Sequence, residues 1–179
     1  PVNLSVWKWE ALATGIALAT GRRAIEVLIQ GEFEQIGKYS ISFSGQAKER
    51  TGIDHTNKFE IYSLIDADKV ISAIEVLRNY PNIKAMIKEL NDGRHYQFNE
   101  LVHNRTATHL NNFMREMMSG ANIDTGIGRN WVFKDTRAIY AAICFKLFFD
   151  TDDRWKNVDQ DNVLSNLTWS LGSKSSSSL

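Results

Sequence analysis

Two pairs of cationic side chains stand where a helix start could hold a phosphate. Gly21 is followed by Arg22 and Arg23, and further along the chain Lys134 precedes Arg137 by three residues. A glycine directly after a helix usually adopts the left-handed cap conformation, and the free N–H groups that open the next helix attract anions. A guanidinium there adds planar donors that match a phosphate. The pattern therefore indicates binding of a phosphate group.

Each pair also has an ordinary interpretation. Arg22 could be solvated while Arg23 pairs with Glu26 one turn later. Asp135 could likewise pair with Arg137. Taken alone, neither run decides between an anion site and local ion pairs.

The elements that must position these side chains can be predicted from hydrophobic periodicity. Helical spacing predicts helices over 7–20, 22–29, 67–80, 83–93, 97–118, 134–149 and 159–167. Strict alternation over 39–44 and 59–64 predicts two antiparallel strands, with Lys48 in a turn near the rim of the sheet. The expected fold is mainly α with a small antiparallel β-sheet. Cations on three separate elements favour one shared anion site over three unrelated ion pairs.

Composition describes one domain without a global electrostatic preference. The 179 residues are 43% hydrophobic, enough to bury a core, and 21 basic side chains balance 21 acidic ones. This neutral balance counts mildly against a nucleic-acid partner. The single cysteine, Cys144, lies in an apolar run and is expected to be buried and inert, which fits a reducing cytoplasm. The sequence has no apolar run long enough to cross a bilayer, so no membrane partner is expected.

Other kinds of site find little support in the sequence. His103 and His109 are six residues apart, which puts them on different faces of one helix, and no pair has the spacing of a zinc helix. No glycine-rich nucleotide loop is present, and Phe43-Ser44-Gly45 lacks the pattern of a serine nucleophile elbow. Neither a metal nor a cofactor is expected.

Three motifs carry a resemblance to a known family. They are Thr-Gly-Arg-Arg-x-x-Glu-Val-Leu at 20–28, Phe-Ser-Gly-Gln-Ala-Lys at 43–48 and Phe-Lys-Asp-Thr-Arg-Ala-x-Tyr-Ala at 133–141. Their order resembles the catalytic domain of tyrosine recombinases. The second motif is similar to the telomere resolvases, or protelomerases, of phages and linear plasmids, which convert DNA ends into closed hairpins. The resemblance implies a tyrosine-recombinase-like catalytic core over 1–167. The serine-rich composition of 168–179 predicts a disordered tail.

The resemblance also implies roles for individual side chains. Arg23 and Arg137 would grip the scissile phosphate, and Lys48 would protonate the leaving 5′ oxygen. Lys134 would join them three residues before the second arginine. Two planar forks suit the charge of a pentacoordinate phosphorane, and a lysine with a lowered pKa can donate a proton, so no metal is required. Contacts with DNA are expected from Arg22, Gln46, Arg50 and Trp169.

The partner that the resemblance implies is double-stranded DNA with a palindromic telomere site. The chain would bind it in the cytoplasm of a bacterial host cell, as a homodimer on the DNA.

The resemblance ends where the family places a histidine and, after it, the nucleophilic tyrosine. No histidine follows Val158-Asp159, and every tyrosine lies earlier in the chain: Tyr39, Tyr62, Tyr80, Tyr96 and Tyr140. Tyr140 is expected to pack within its helix. Trp169 is either a donor to a phosphate oxygen in place of the histidine or an anchor for the tail.

Three functions stay open from the sequence. The first is the catalytic core of a telomere resolvase that lacks its nucleophile and is inactive alone. The second is a degenerate relative that binds DNA or regulates a resolvase without reacting. The third is a different enzyme class or a helical interaction domain, for which the neutral net charge is the support.

Overall fold

A computed structural model describes residues 7–47, 58–92, 98–126 and 128–149. Its helices are α1 (Trp9–Thr20), α2 (Ala67–Arg78), α3 (Pro81–Asn91), α4 (Phe98–Gly120) and α5 (Thr136–Cys144). Its strands are β1 (Glu32–Gln35), β2 (Ser40–Ser44) and β3 (Phe59–Tyr62), which form one antiparallel sheet in the order β1-β2-β3. The predicted architecture, mainly helical with a small antiparallel sheet, is confirmed.

Helix α1 lies at the centre of the fold and packs against α2, α4 and α5. Leu12, Ile16 and Ala17 are among the residues that it buries, and its alanines allow the neighbouring helices to approach closely. The helix begins two residues after the predicted start at Trp7, because Lys8 adopts an extended conformation (φ −63°, ψ 145°) as the N-cap.

Gly21 ends α1 in the left-handed conformation, with φ 67°. Its N–H donates to the carbonyl of Ala17 at 2.8 Å, which closes the last turn. A Cβ atom at this position would lie only 2.4 Å from Cδ1 of Tyr140 in α5. Glycine is therefore required here both by the backbone conformation and by the close approach of α5.

The helix that follows differs from the predicted one in start and in type. It begins at Ala24, two residues later than expected, and is π-helical over Glu26–Gln30. The N–H of Gly31 closes it by donating to the Glu26 carbonyl at 2.9 Å. Arg78 of α2 donates from Nη2 to the carbonyl oxygens of Glu26 (3.1 Å) and Gly31 (2.6 Å). The guanidinium thus adds a second donor to the Glu26 carbonyl and ties the end of this short, irregular turn to α2.

The sheet presents a row of phenylalanines, one from each strand. Phe33 is opposite Phe43, and Phe43 is opposite Phe59. The ring centroids are 5.0 Å and 5.4 Å apart, in edge-to-face geometry. Strand β1 was not predicted, because Glu-Phe-Glu-Gln contains a single apolar residue and shows no alternation of its own.

The last described segment matches the predicted helix over 134–149 in extent, but it is built from three pieces. A 3₁₀ turn over Phe133–Asp135 leads into α5, and a π-helical turn follows over Phe145–Phe149. Cys144 is buried, as predicted. The described part of the chain contains no helix with both the length and the apolarity of a membrane span.

Some predictions fall outside the described residues. These are the helix over 159–167, the serine-rich tail from 168, and the positions of Lys48, Arg50 and Trp169.

Replacing Gly21 by alanine tests the junction between α1 and α5. We expect Gly21→Ala to lower the free energy of unfolding by about 3 kcal/mol, because it adds a left-handed alanine and a clash with Tyr140. Gly15→Ala is the matched control, since a Cβ atom at Gly15, within α1, meets nothing within 4 Å. It should raise stability by about 0.5 kcal/mol. Urea denaturation measures both, and equal effects of the two substitutions would contradict this account of Gly21.

Candidate functional site

The segment after Gly21 places two arginines in different surroundings. Arg22 is buried, with 1% of its surface exposed, so the interpretation of Arg22 as a solvated side chain is wrong. Arg23 is half-buried, and its Nη1 donates to Oε1 of Glu26 at 3.0 Å. The Arg23–Glu26 pair that the sequence offered as an alternative is therefore present.

Glu26 binds more than the Arg23 guanidinium. It is completely buried, and its Oε2 accepts the backbone N–H of Arg23 at 3.0 Å. Its Oε1 also accepts the backbone N–H of Ala47 at 3.0 Å. A carboxylate of the chain itself thus satisfies the N–H at the helix start where the sequence suggested an external anion, as one half of a capping box does. The same carboxylate ties the turn after β2 to Arg23.

Arg137 reaches this junction from α5. Its Nε donates to the carbonyl of Gly21 at 3.2 Å, and the side chain is half-buried. Burial lowers the pKa of the Arg137 guanidinium to about 10, with Arg23 and Arg22 lowering it further and Glu26 opposing them. At neutral pH Arg137 therefore keeps its proton, and its planar guanidinium adds a second set of donors to that of Arg23.

Lys134 and Arg137 are positioned by contacts that hold the start of α5. Asp135 accepts a two-pronged ion pair from Arg129, with N–O distances of 2.7 and 2.8 Å, and a hydrogen bond from the Val132 N–H at 3.0 Å. Burial favours the protonated form of Asp135, but these hydrogen bonds outweigh it and keep the pKa of the carboxyl below its ordinary value. The alternative that Asp135 pairs with Arg137 is wrong, because its carboxylate is engaged by Arg129.

Asn111 of α4 supplies a second contact at the same place. Its Oδ1 accepts the backbone N–H of Phe133 at 2.8 Å, at the beginning of the 3₁₀ turn. Sequence reasoning found neither Asn111 nor Arg129. Both residues contact partners across a loop, and no periodic pattern in the sequence connects them to those partners. The only signal in the sequence was the polar, glycine-containing composition of 119–130, which predicts a loop there.

The cationic side chains face one cleft of about 520 Å³. The predicted site residues that line it are Arg22, Arg23, Lys134 and Arg137. Its opposite wall is α4, from which Asn99, His103 and Asn111 face the cleft. The structure therefore brings together three of the four predicted catalytic side chains, Arg23, Lys134 and Arg137.

The remaining predicted residues are placed less completely. Lys48 lies outside the described residues, directly after Ala47, whose N–H is held by Glu26. Gln46 is half-buried in the same turn. Arg50 and Trp169 are not among the described residues, and their contacts with DNA stay predictions.

Tyr140, three residues after Arg137, has its hydroxyl engaged inside the protein. Tyr140 is buried, and its hydroxyl donates to the carbonyl of Tyr62 at 2.7 Å. Burial, with a contribution from Cys144, holds the pKa of the Tyr140 phenol well above its usual range. Tyr140 is therefore a packing residue of α5, as expected.

The described residues contain no group of three His, Cys, Asp or Glu side chains that could hold a metal ion. The chemistry that this cleft offers is that of guanidinium and ammonium groups: recognition of an oxyanion and stabilisation of negative charge.

Comparison with known proteins assigns the chain to a family. Residues 3–161 match the sequence model of the telomere resolvase ResT/TelK catalytic domain. The chain belongs to this family, and the resemblance carried by its three motifs is confirmed.

The chain is also similar to individual protelomerases. It is 40% identical to the protelomerase of Yersinia phage PY54 over 159 residues, which are 87% of this chain and 24% of that protein. It is 38% identical to the protelomerase of Klebsiella oxytoca phage phiKO2 over 153 residues, covering 84% of this chain and 22% of that protein. The chain thus spans about a quarter of the length of these curated relatives.

A solved structure agrees with the assignment. The protelomerase TelK complexed with substrate DNA superposes with a TM-score of 0.70 at 33% identity, covering 95% of this chain and 30% of that one. A second neighbour, protelomerase TelA with a Y201A substitution and covalently complexed with substrate DNA, shares the fold at 21% identity with a TM-score of 0.70.

The buried carboxylate at the centre of the site can be tested by an isosteric change. We expect Glu26→Gln to lower the free energy of unfolding by about 3 kcal/mol, because an amide cannot accept on both sides and leaves a buried donor unpaired. Glu34→Gln is the matched control, since the Glu34–Lys58 pair is exposed and should contribute almost nothing. Chemical denaturation compares them, and a Glu26→Gln protein as stable as the control would show that the carboxylate is not the centre of this arrangement.

Proposed function

We propose that this chain is the phosphate-binding core of a telomere resolvase that acts on double-stranded DNA. The observation that carries the proposal is the convergence of Arg23 and Arg137 on one cleft, joined through Gly21 and Glu26. The two guanidiniums come from segments more than one hundred residues apart and are held by separate contacts. Such an arrangement suits one anion with several oxygens, and a DNA phosphodiester is that anion.

The roles of the side chains follow from their chemistry. Arg23 and Arg137 would donate to the non-bridging oxygens and stabilise the added charge of the phosphorane. Lys134, exposed at the start of α5, would approach the same phosphate from the other side of Arg137. Lys48, following the turn that Glu26 holds, would give its proton to the leaving 5′ oxygen.

DNA beyond this phosphate would be contacted by neighbouring residues. The turn that carries Gln46 lies next to Glu26, so Gln46 is a proposed contact with the DNA backbone on that side. Arg50 is proposed as a further contact with the DNA backbone. Trp169 is proposed as a donor through its indole N–H. We further propose a palindromic telomere site, bound by two copies of the chain, as the substrate from which closed hairpin ends would form in a bacterial cell.

Strand cleavage itself would need a tyrosine, and among the described residues none lines the cleft. A tyrosine hydroxyl would attack the phosphorus, form the 3′-phosphotyrosine bond and release the 5′ oxygen. The Tyr140 hydroxyl is held inside the protein by its hydrogen bond to the Tyr62 carbonyl. This contact supports the proposal that the chain binds DNA without cleaving it. This observation also favours the second candidate function, a non-catalytic or regulatory relative.

DNA binding should depend on the second arginine. We expect Arg137→Ala to weaken binding about tenfold or more, because it removes a charge-assisted donor to phosphate, and to reduce the salt dependence by about one ion. Arg115→Ala, which removes an exposed arginine of α4, is the control and should cost much less. Fluorescence anisotropy with a labelled inverted-repeat duplex at several salt concentrations measures both. Equal binding by Arg137→Ala and the unmodified chain would argue strongly against a phosphate site in this cleft.

A covalent test separates binding from cleavage. We expect the 179-residue chain to form no adduct with a nicked suicide duplex, because Tyr140 is engaged inside the protein. Denaturing gel electrophoresis of the labelled DNA with the chain gives the result. A protein-linked DNA band would show that one of the five tyrosines reacts with DNA. It would contradict the prediction that this chain binds DNA without cleaving it.

A further inference from the structure

Arg22 is the largest side chain that the described core buries completely, with 1% of its surface exposed. Its Nε lies 3.4 Å from the carbonyl oxygen of Thr20, a long hydrogen bond. Within the described residues, neither Nη1 nor Nη2 has a hydrogen-bond partner. A guanidinium has five donors and stays charged in proteins, so this burial is unfavourable for the folded state.

The surroundings of Arg22 offset only part of this cost. Its guanidinium carbon lies 4.8 Å from the ring centroid of Phe43 and 5.6 Å from that of Phe59, within cation–π distance. Burial lowers the pKa of Arg22, and the Glu26 carboxylate is the strongest influence in the opposite direction. That carboxylate, however, already accepts hydrogen bonds from Arg23 and Ala47.

The charge of Arg22 lies close to two other guanidinium charges. Arg22, Arg23 and Arg137 act on one another electrostatically, and Glu26 acts on Arg22 and Arg137 and pairs with Arg23. All three guanidiniums line the same cleft. An anion that enters the cleft would therefore be attracted by the buried charge of Arg22, whose Nη groups have no hydrogen-bond partner within the described residues.

We propose that Arg22 strengthens phosphate binding from inside the protein. Its buried charge adds to the positive potential between Arg23 and Arg137 without contacting the phosphate, and it lowers the stability of the DNA-free chain. This inference rests on the proposed function, because that function supplies the phosphate. It replaces the expected direct contact between Arg22 and the DNA backbone by an effect exerted through the cleft wall.

Opposite changes in stability and in binding are the signature of such a residue. Arg22→Met keeps the length and apolar stem of the side chain but removes the charge, which often stabilises a protein interior. We expect the melting temperature of the DNA-free protein to rise and its affinity for a labelled inverted-repeat duplex to fall about tenfold. If Arg22 had a purely structural role, its replacement would lower both the melting temperature and the DNA affinity. A lower melting temperature, failure to fold or unchanged affinity would therefore each overturn the inference.

Arg22→Lys distinguishes the field of a buried charge from a direct contact. Lysine keeps the charge but not the planar fork, and at about pH 6 it stays protonated for a lowering of its pKa by up to about three units. Affinity within about threefold of that of the unmodified protein supports action through the field. Affinity as weak as that of Arg22→Met would overturn the inference in favour of a contact.

Arg137→Ala separates this inference from the proposed function. If Arg137→Ala weakens DNA binding and Arg22→Met does not, only the inference fails. If neither substitution changes binding, the phosphate site itself fails, and the inference with it. Arg115→Met controls for the loss of one exposed arginine and should change neither melting temperature nor affinity by a comparable amount.

Discussion

The architecture of the site depends on one buried carboxylate. Glu26 accepts hydrogen bonds from both the backbone and the side chain of Arg23, and from the backbone of Ala47. It lies where α1, the π-helical turn and the sheet meet, so a single ionised group fixes the first arginine relative to the turn after β2. A buried negative charge requires cations around it, and Arg22, Arg23 and Arg137 all interact electrostatically with Glu26. Arg78 also supports the π-helical turn, because its guanidinium donates to the carbonyl oxygens of Glu26 and Gly31.

The elements of the fold could largely be predicted because each has a pattern of its own. The apolar positions of α1 and the alternation of β2 are local signals, and both elements lie within two residues of the predicted limits. Strand β1 has no such signal, since its one apolar residue, Phe33, forms its sheet contact with Phe43 of β2 only in the folded protein. The apolar spacing over 22–29 predicts a helix but does not give its type, because the spacing of a few residues does not distinguish an α-helical from a π-helical turn.

The site could be predicted only in part, for the same reason. Arg23, Lys134 and Arg137 were identified as members of short motifs, and the structure places them on one cleft. The contacts that position these side chains, such as the ion pair between Arg129 and Asp135, form only in the folded chain. The spacing of residues in the sequence does not predict them. Net charge was a poor guide as well. A total of zero conceals the three guanidiniums that line one cleft, those of Arg22, Arg23 and Arg137.

The hydrogen bond from Arg137 to the Gly21 carbonyl joins residues 116 positions apart. Contacts of such high sequence separation form only after a large loop has closed, which makes them late events in folding. During synthesis, the first arginine emerges from the ribosome long before the second. A partly made chain therefore has only one of the two forks, and the complete anion site exists only once α1 and α5 have packed together.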